Sequence, residues 1–150
     1  MFQLERQLVL NAPAEDVWDF LANPVNLNEL TPPDLRFEIL SKLPERMYNG
    51  LMIHYSIGIP LFGRHRWLTE IKHIEEGSSF VDEQRRGPYR FWYHYHAVEA
   101  LADGRTRMND SVTYQLPFGL LGRLVHKVQV KKMLDDIFDY RSRKLTEIFS

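Results

Sequence analysis

The sequence predicts an α+β domain, a curved antiparallel sheet of about seven strands wrapped around a long C-terminal helix, with two short helices after the first strand. Three observations carry this expectation. An early helix signal follows the first strand-like segment, turn dipeptides then divide residues 35–116 into strand-length pieces, and no turn signal follows Gly119.

Residues 2–10 alternate as Phe2 and Leu4 against Gln3 and Glu5 and end in Leu8-Val-Leu10, an opening strand. Asn11 begins a turn into Pro13-Ala-Glu-Asp-Val-Trp-Asp-Phe-Leu. Proline in the first turn and early acids suit a helix N-terminus, and Val17, Trp18 and Leu21 are its expected buried stripe. Asn23-Pro24 stops that helix, and a second short helix or turn holds Leu27 to Leu30 before Thr31-Pro-Pro33. Asn49-Gly50, Gly58-Ile-Pro60, Glu76-Gly77, Gly87-Pro88 and Asp103-Gly104 separate the strands that follow, because glycine accepts positive φ and proline cannot donate in a ladder.

The C-terminal helix carries two apolar stripes. At 100° per residue, Leu121, Leu124, Val125 and Val128 lie on one side, and Val130, Met133, Leu134, Ile137, Phe138 and Leu145 lie on roughly the opposite one. One straight helix cannot bury both in one groove. A bend near residues 127–130 is therefore expected, or use of the first turns for a cavity mouth or a subunit contact.

Strand parity assigns the concave face. Arg107, Asn109, Ser111, Thr113 and Gln115 alternate with Met108, Asp110, Val112 and Tyr114, so the second set points inward. The same parity sends Trp92, His94 and His96, then Phe80, Asp82 and Gln84, then Trp67, Thr69 and Ile71 to that face. Arg86 has inward parity but adjoins the Gly87-Pro88 turn, a position at the rim. Phe91, Tyr93 and Tyr95 fall outside, and such an aromatic patch suits a homodimer contact. Acids, imidazoles and aromatics on the buried side of a sheet imply an interior cavity with a polar floor.

Composition narrows the function classes. At 150 residues the chain is most simply one domain, residues 1–150, able to bury roughly 68–70% of its unfolded surface without staples. The absence of cysteine excludes disulfides and thiol chemistry. Nineteen basic and twenty acidic residues, with only short basic clusters, argue against nucleic acid as a partner. The N-terminus lacks a secretory pattern and no apolar run approaches the roughly 18 residues of a membrane span, so a soluble cytoplasmic protein without membrane insertion is expected.

The order of elements resembles the helix-grip fold of the START and pollen-allergen-like superfamily known as SRPBCC, over essentially the whole chain. Asn11-Ala-Pro-Ala-Glu-Asp-Val-Trp-Asp-Phe-Leu followed by Asn23-Pro looks like the first-helix signature of that superfamily. Asp82-Glu-Gln, Gly87-Pro-Tyr, Trp92-Tyr-His-Tyr-His96 and Tyr114-Gln-Leu-Pro-Phe-Gly119 look like a bacterial subgroup in its polyketide cyclase/dehydrase branch. The resemblance implies a ligand-binding domain found alone or fused to sugar-nucleotide epimerase-like domains, and hence an epimerase-like protein as a candidate partner. It fixes no reaction, since the superfamily holds carriers, receptors and cyclases, and it carries no universal catalytic motif.

Candidate site residues therefore come from the inward face: Trp67, Asp82, Gln84, Trp92, His94, His96, Met108, Asp110, Val112 and Tyr114, with Met133 from the helix. The aromatic members either line a pocket or fill core. An ionised Asp110 in apolar surroundings needs a partner or a raised pKa, which makes it either a structural brace paired with histidine or a general base or ligand-orienting group. His94 is the accompanying catalytic candidate. Two histidines two residues apart on one strand can present metal ligands, with Asp82 or Asp110 completing the set. Such imidazoles more often hydrogen-bond a neighbour, and no metal or other cofactor is expected. The leading function is binding of a small hydrophobic or amphipathic molecule in an internal cavity. The alternatives are a cyclase/dehydratase-like enzyme using an Asp–His pair, and a protein-interaction domain with a vestigial cavity.

Overall fold

The computed structural model describes residues 1–60 and 62–150. Strand β1 (Phe2–Leu10) leads into helix α1 (Ala14–Ala22), and two 3-10 turns, Pro24–Asn28 and Pro33–Leu35, follow. Strands β2 (Glu38–Ile39), β3 (Met52–Ile59), β4 (Gly63–Glu75), β5 (Ser79–Arg86), β6 (Phe91–Ala100) and β7 (Thr106–Gln115) come next. They form one seven-stranded sheet in the order β1-β7-β6-β5-β4-β3-β2, antiparallel at every pairing. The second expected helix is thus a pair of 3-10 turns, because Pro24, Pro32 and Pro33 interrupt the run of backbone donors that an α-helix needs. Gly77 and Gly104 take φ of 77° and 83°, so the hairpin turns they close need residues without a Cβ.

The face assignment holds along β6 and β7, where Trp92, His94, His96 and Val98 are buried together with Met108, Asp110, Val112 and Tyr114. It fails at Arg86. Leu68 pairs with Arg86 while Thr69 pairs with Gln84, so Arg85 is an extra residue, and this bulge turns Arg86 to the outer, exposed side. On α1 the buried residues are Val17, Trp18 and Ala22, with Leu21 only partly buried beside the cavity.

The C-terminal helix consists of α2 (Gly119–Val125), a π turn over His126–Val130, and α3 (Lys131–Ile148). The irregularity falls where the two stripes conflict. A π turn accommodates one additional residue and so resets the phase of the helix. From its last residue onward Val130, Leu134, Phe138, Arg141 and Leu145 are buried against the sheet, and before it Leu120, Leu121 and Leu124 are exposed. Arg6 on β1 pairs with Asp135, and Phe2 stacks on His126 at 3.5 Å, so the helix rests over β1 and β7. Apolar core fills that side. Leu10, Val17, Trp18, Met108 and Leu145 form one cluster, and Val112, Tyr114, Trp92, Leu134 and Phe138 belong to another.

Candidate functional site

Because the helix covers β1 and β7, space remains over β3 to β6. A cavity of about 180 Å³ lies there, lined by α1, the 3-10 turns, the concave face of β3–β6 and α3. Its aromatic wall runs through Tyr55, Trp67, Tyr89 and Trp92, whose neighbouring ring centroids lie 4.9–5.7 Å apart. A surface groove bordered by Pro33, Phe62, Val128 and Tyr140 shares Leu35, Ile59, Met133 and Ile137 with the cavity lining. Val128, from the first stripe, lines this groove.

The polar floor is a lattice set by strand register. Asp82 stands opposite His94, and His96 stands opposite Asp110, so each aspartate meets one histidine directly and the other diagonally. His94 Nε2 lies 2.7 Å and His96 Nδ1 3.1 Å from Asp110 Oδ1. On the other side, His94 Nδ1 lies 3.3 Å and His96 Nε2 2.5 Å from Asp82 Oδ2. The imidazoles stack at 3.6 Å, and Phe80 stacks on His96 at 4.2 Å. Arg141 of α3 closes the cluster, with Nε 3.6 Å from Asp110 Oδ2 and a terminal nitrogen 3.4 Å from His96 Nδ1.

Electrostatics follow from these contacts. Burial opposes ionisation of Asp110, but the Arg141 charge and the histidine hydrogen bonds outweigh it and hold its carboxyl well below the usual range. Asp82 is likewise lowered, burial being outweighed by the charge and hydrogen bonds of His94 and His96. Burial also opposes imidazolium at His94, yet the Asp82 charge and the bonds to Asp110 and Asp82 raise its pKa. Two ionised carboxylates thus hold His94 ready to carry a proton at the cavity wall. Burial pushes the Tyr55 and Tyr89 phenols up, so both remain neutral donors.

The structure divides the sequence-derived candidates into three groups. Trp67, Asp82, Trp92, His94, His96 and Met133 line the cavity. Asp110 does not reach it and stands behind the two histidines as their common partner. Met108, Val112, Tyr114 and Gln84 are away from it, because β7 lies under the helix and Gln84 is bound to the β5–β6 turn. Met108 and Val112 are fully buried core, and the Tyr114 hydroxyl lies 2.6 Å from His126 Nε2. Gln84 donates to the Tyr89 carbonyl at 2.7 Å and accepts from the Tyr89 N–H at 3.1 Å, holding that ring in the aromatic wall. Arg141 and Tyr89 escaped the sequence reading. An arginine in the buried stripe, three residues after Phe138 and four before Leu145, was the available signal for the first.

A seven-stranded antiparallel sheet closed across an internal cavity by a C-terminal helix is the helix-grip fold of the START-like SRPBCC superfamily, and this chain has that polyketide-cyclase-like fold. The particular structures it resembles are diverse. A START superfamily protein from Mycobacterium smegmatis superposes with a TM-score of 0.71 at 11% identity, over 97% of this chain and 98% of that one. The Zhui aromatase/cyclase from a Streptomyces species gives a TM-score of 0.76 at 12% identity, over 97% and 92%. A nucleoside-diphosphate sugar epimerase from Corynebacterium glutamicum matches at 25% identity with a TM-score of 0.68, over 96% of this chain but 28% of that chain. No protein-family model matches the sequence, and no curated protein matches it significantly.

Proposed function

We propose that the protein binds a compact, mostly apolar molecule bearing one polar group, held in the cavity between the sheet and α3. The observation that carries this reading is a largely apolar chamber ending on Asp82, His94, His96 and Arg141. Concave apolar sites with a few convergent polar groups are the usual architecture for small-molecule recognition. The Trp67 indole N–H, buried in the cavity wall without a partner among the described residues, offers a further donor to a ligand acceptor. Size limits the ligand. An apolar cavity of roughly 150 Å³ takes up benzene, so about 180 Å³ suits a body of one or two rings better than a long-chain lipid.

Catalysis is the second reading, favoured by the 2.7 Å contact between His94, on the cavity wall, and Asp110, behind it. A base oriented by a buried carboxylate is the arrangement needed to remove a proton next to a carbonyl. The resemblance to an aromatase/cyclase structure is consistent with that chemistry. The same reading keeps the protein cytoplasmic, with an epimerase-like partner suggested by the Corynebacterium match. The exposed Tyr95, next to the stacked Phe91 and Tyr93, remains the candidate homodimer contact.

Native mass spectrometry of gently purified protein tests the reading. An organic adduct retained at one per chain is expected, and its release on unfolding gives its mass. A bare chain that also takes up none of a panel of one- and two-ring phenols, ketones and carboxylic acids sinks the binding function.

A further inference from the structure

We propose that Asp82, His94 and His96 form a binding site for one divalent transition-metal ion, with Asp110 as the carboxylate that orients both imidazoles. The inference stands independently of any organic ligand.

The orientation of the four imidazole nitrogens carries the argument. His94 Nδ1 and His96 Nε2 converge on Asp82 Oδ2, while His94 Nε2 and His96 Nδ1 converge on Asp110 Oδ1. A neutral imidazole has one N–H and one lone pair. Without an ion, His96 Nε2–H donates to Asp82 and Arg141 donates to His96 Nδ1 at 3.4 Å; an ion held by the two inner nitrogens replaces this with the tautomer in which both N–H groups face the buried Asp110, at 2.7 and 3.1 Å. In that tautomer two imidazole lone pairs and one carboxylate oxygen converge on one point, a set of three metal ligands.

The spacing fits. The three ligand atoms lie within 4.8 Å of one another. Metal–ligand bonds of 2.0–2.2 Å in tetrahedral geometry place donors roughly 3.3–3.6 Å apart. The 3.3 Å between His94 Nδ1 and Asp82 Oδ2 already meets this, and the 2.5 Å contact with His96 Nε2 widens by turning the Asp82 side chain, which borders open space.

The surroundings are those of a reactive metal site. Ligating histidines characteristically donate their second ring N–H to a carboxylate, and here one buried aspartate serves both, itself backed by Arg141. Two carboxylates and one guanidinium leave a net negative charge that favours a dication. Asp82, His94 and His96 all line the cavity while Asp110 does not, so the remaining coordination positions open on the chamber. A set of two imidazoles and one carboxylate suits zinc, cobalt or iron(II), and disfavours calcium or magnesium.

The test uses the metal alone. Chelator-treated full-length protein is titrated with Zn²⁺ by calorimetry and with Co²⁺ by visible absorption and proton NMR. One ion per chain is expected, with paramagnetic shifts on the ring protons of His94 and His96 and not on those of His54, His65 or His73. His94→Gln, His96→Gln and Asp82→Asn should each weaken binding at least about 100-fold, Asp110→Asn about 10–100-fold, and His65→Gln should leave it unchanged. No saturable binding up to 1 mM metal ion, or shifts on other histidines, overturns the proposal. Should a cluster variant fail to fold, the wild-type NMR result decides by itself.

Discussion

At the residue scale, the chemistry rests on where register places ionisable groups. Asp110 receives both histidines and faces Arg141, so it is a positioning residue that does not touch the cavity contents. Asp110→Asn is expected to lower stability by about 1–3 kcal/mol in urea denaturation, because an amide N–H₂ or a single carbonyl replaces a carboxylate accepting from two rings. Unchanged stability would show that the cluster does not brace the sheet. A second residue-scale expectation concerns His126. Its partial burial, with Lys131 and the N-terminal ammonium adding repulsion, lowers its pKa, and burial chiefly pushes the Tyr114 phenol up to about 12. Tyr114 thus donates to a neutral His126 Nε2. Since the folded pKa of His126 lies below the unfolded value of about 6.5, its contribution is fully present above that pH. It is lost as pH falls through the folded pKa. As pH is lowered from 8 to 5 the wild-type urea midpoint should fall relative to that of His126→Gln, since His94, whose pKa is raised, contributes with the opposite sign in both proteins.

At the scale of elements, the C-terminal helix illustrates how a pattern and its solution differ. Two stripes on opposite sides were visible in the sequence, and the chain resolves them with a π turn at His126–Val130. Helix α2 is then held by close backbone approach instead of side-chain burial. Gly122 is its buried residue, and a Cβ there would meet the Pro117 carbonyl oxygen at 2.1 Å. Gly122→Ala should therefore cost about 1–3 kcal/mol by displacing the Pro117–Phe118 turn, read as a lowered melting temperature. A wild-type melting temperature would show that the turn yields freely. Strand β5 teaches a similar lesson, since one extra residue, Arg85, reverses the parity of Arg86 and removes the expected cation from the rim. The cation that reaches the polar cluster comes from α3 as Arg141.

At the scale of the whole molecule, the asymmetric seat of the helix creates the site. Covering β1 and β7 while leaving β3–β6 open converts Met108, Val112 and Tyr114 into core and leaves Trp67, Trp92 and the Asp–His cluster facing a chamber. Ligand binding should therefore appear in global stability. At a free ligand concentration of 100 times Kd, linkage adds about 2.7 kcal/mol, which raises the melting temperature by about 5–10 °C for a chain of this size. Scanning calorimetry before and after removal of any co-purified organic molecule measures that difference, and no shift with a ligand shown to bind would mean that it binds the unfolded chain equally well and needs no folded cavity.

The sequence by itself determined the element order, the turn positions and the inward parity of β6 and β7, because period-two alternation and glycine–proline punctuation are local properties of the chain. It placed Asp82, His94, His96 and Asp110 on one face for the same reason. Tertiary structure decided which inward residues meet space and which meet the helix, how the β5 bulge redirects Arg86, and that Arg141 enters the cluster. Those outcomes depend on where one helix lies across a curved sheet, a packing equilibrium among distant elements that no local periodicity encodes.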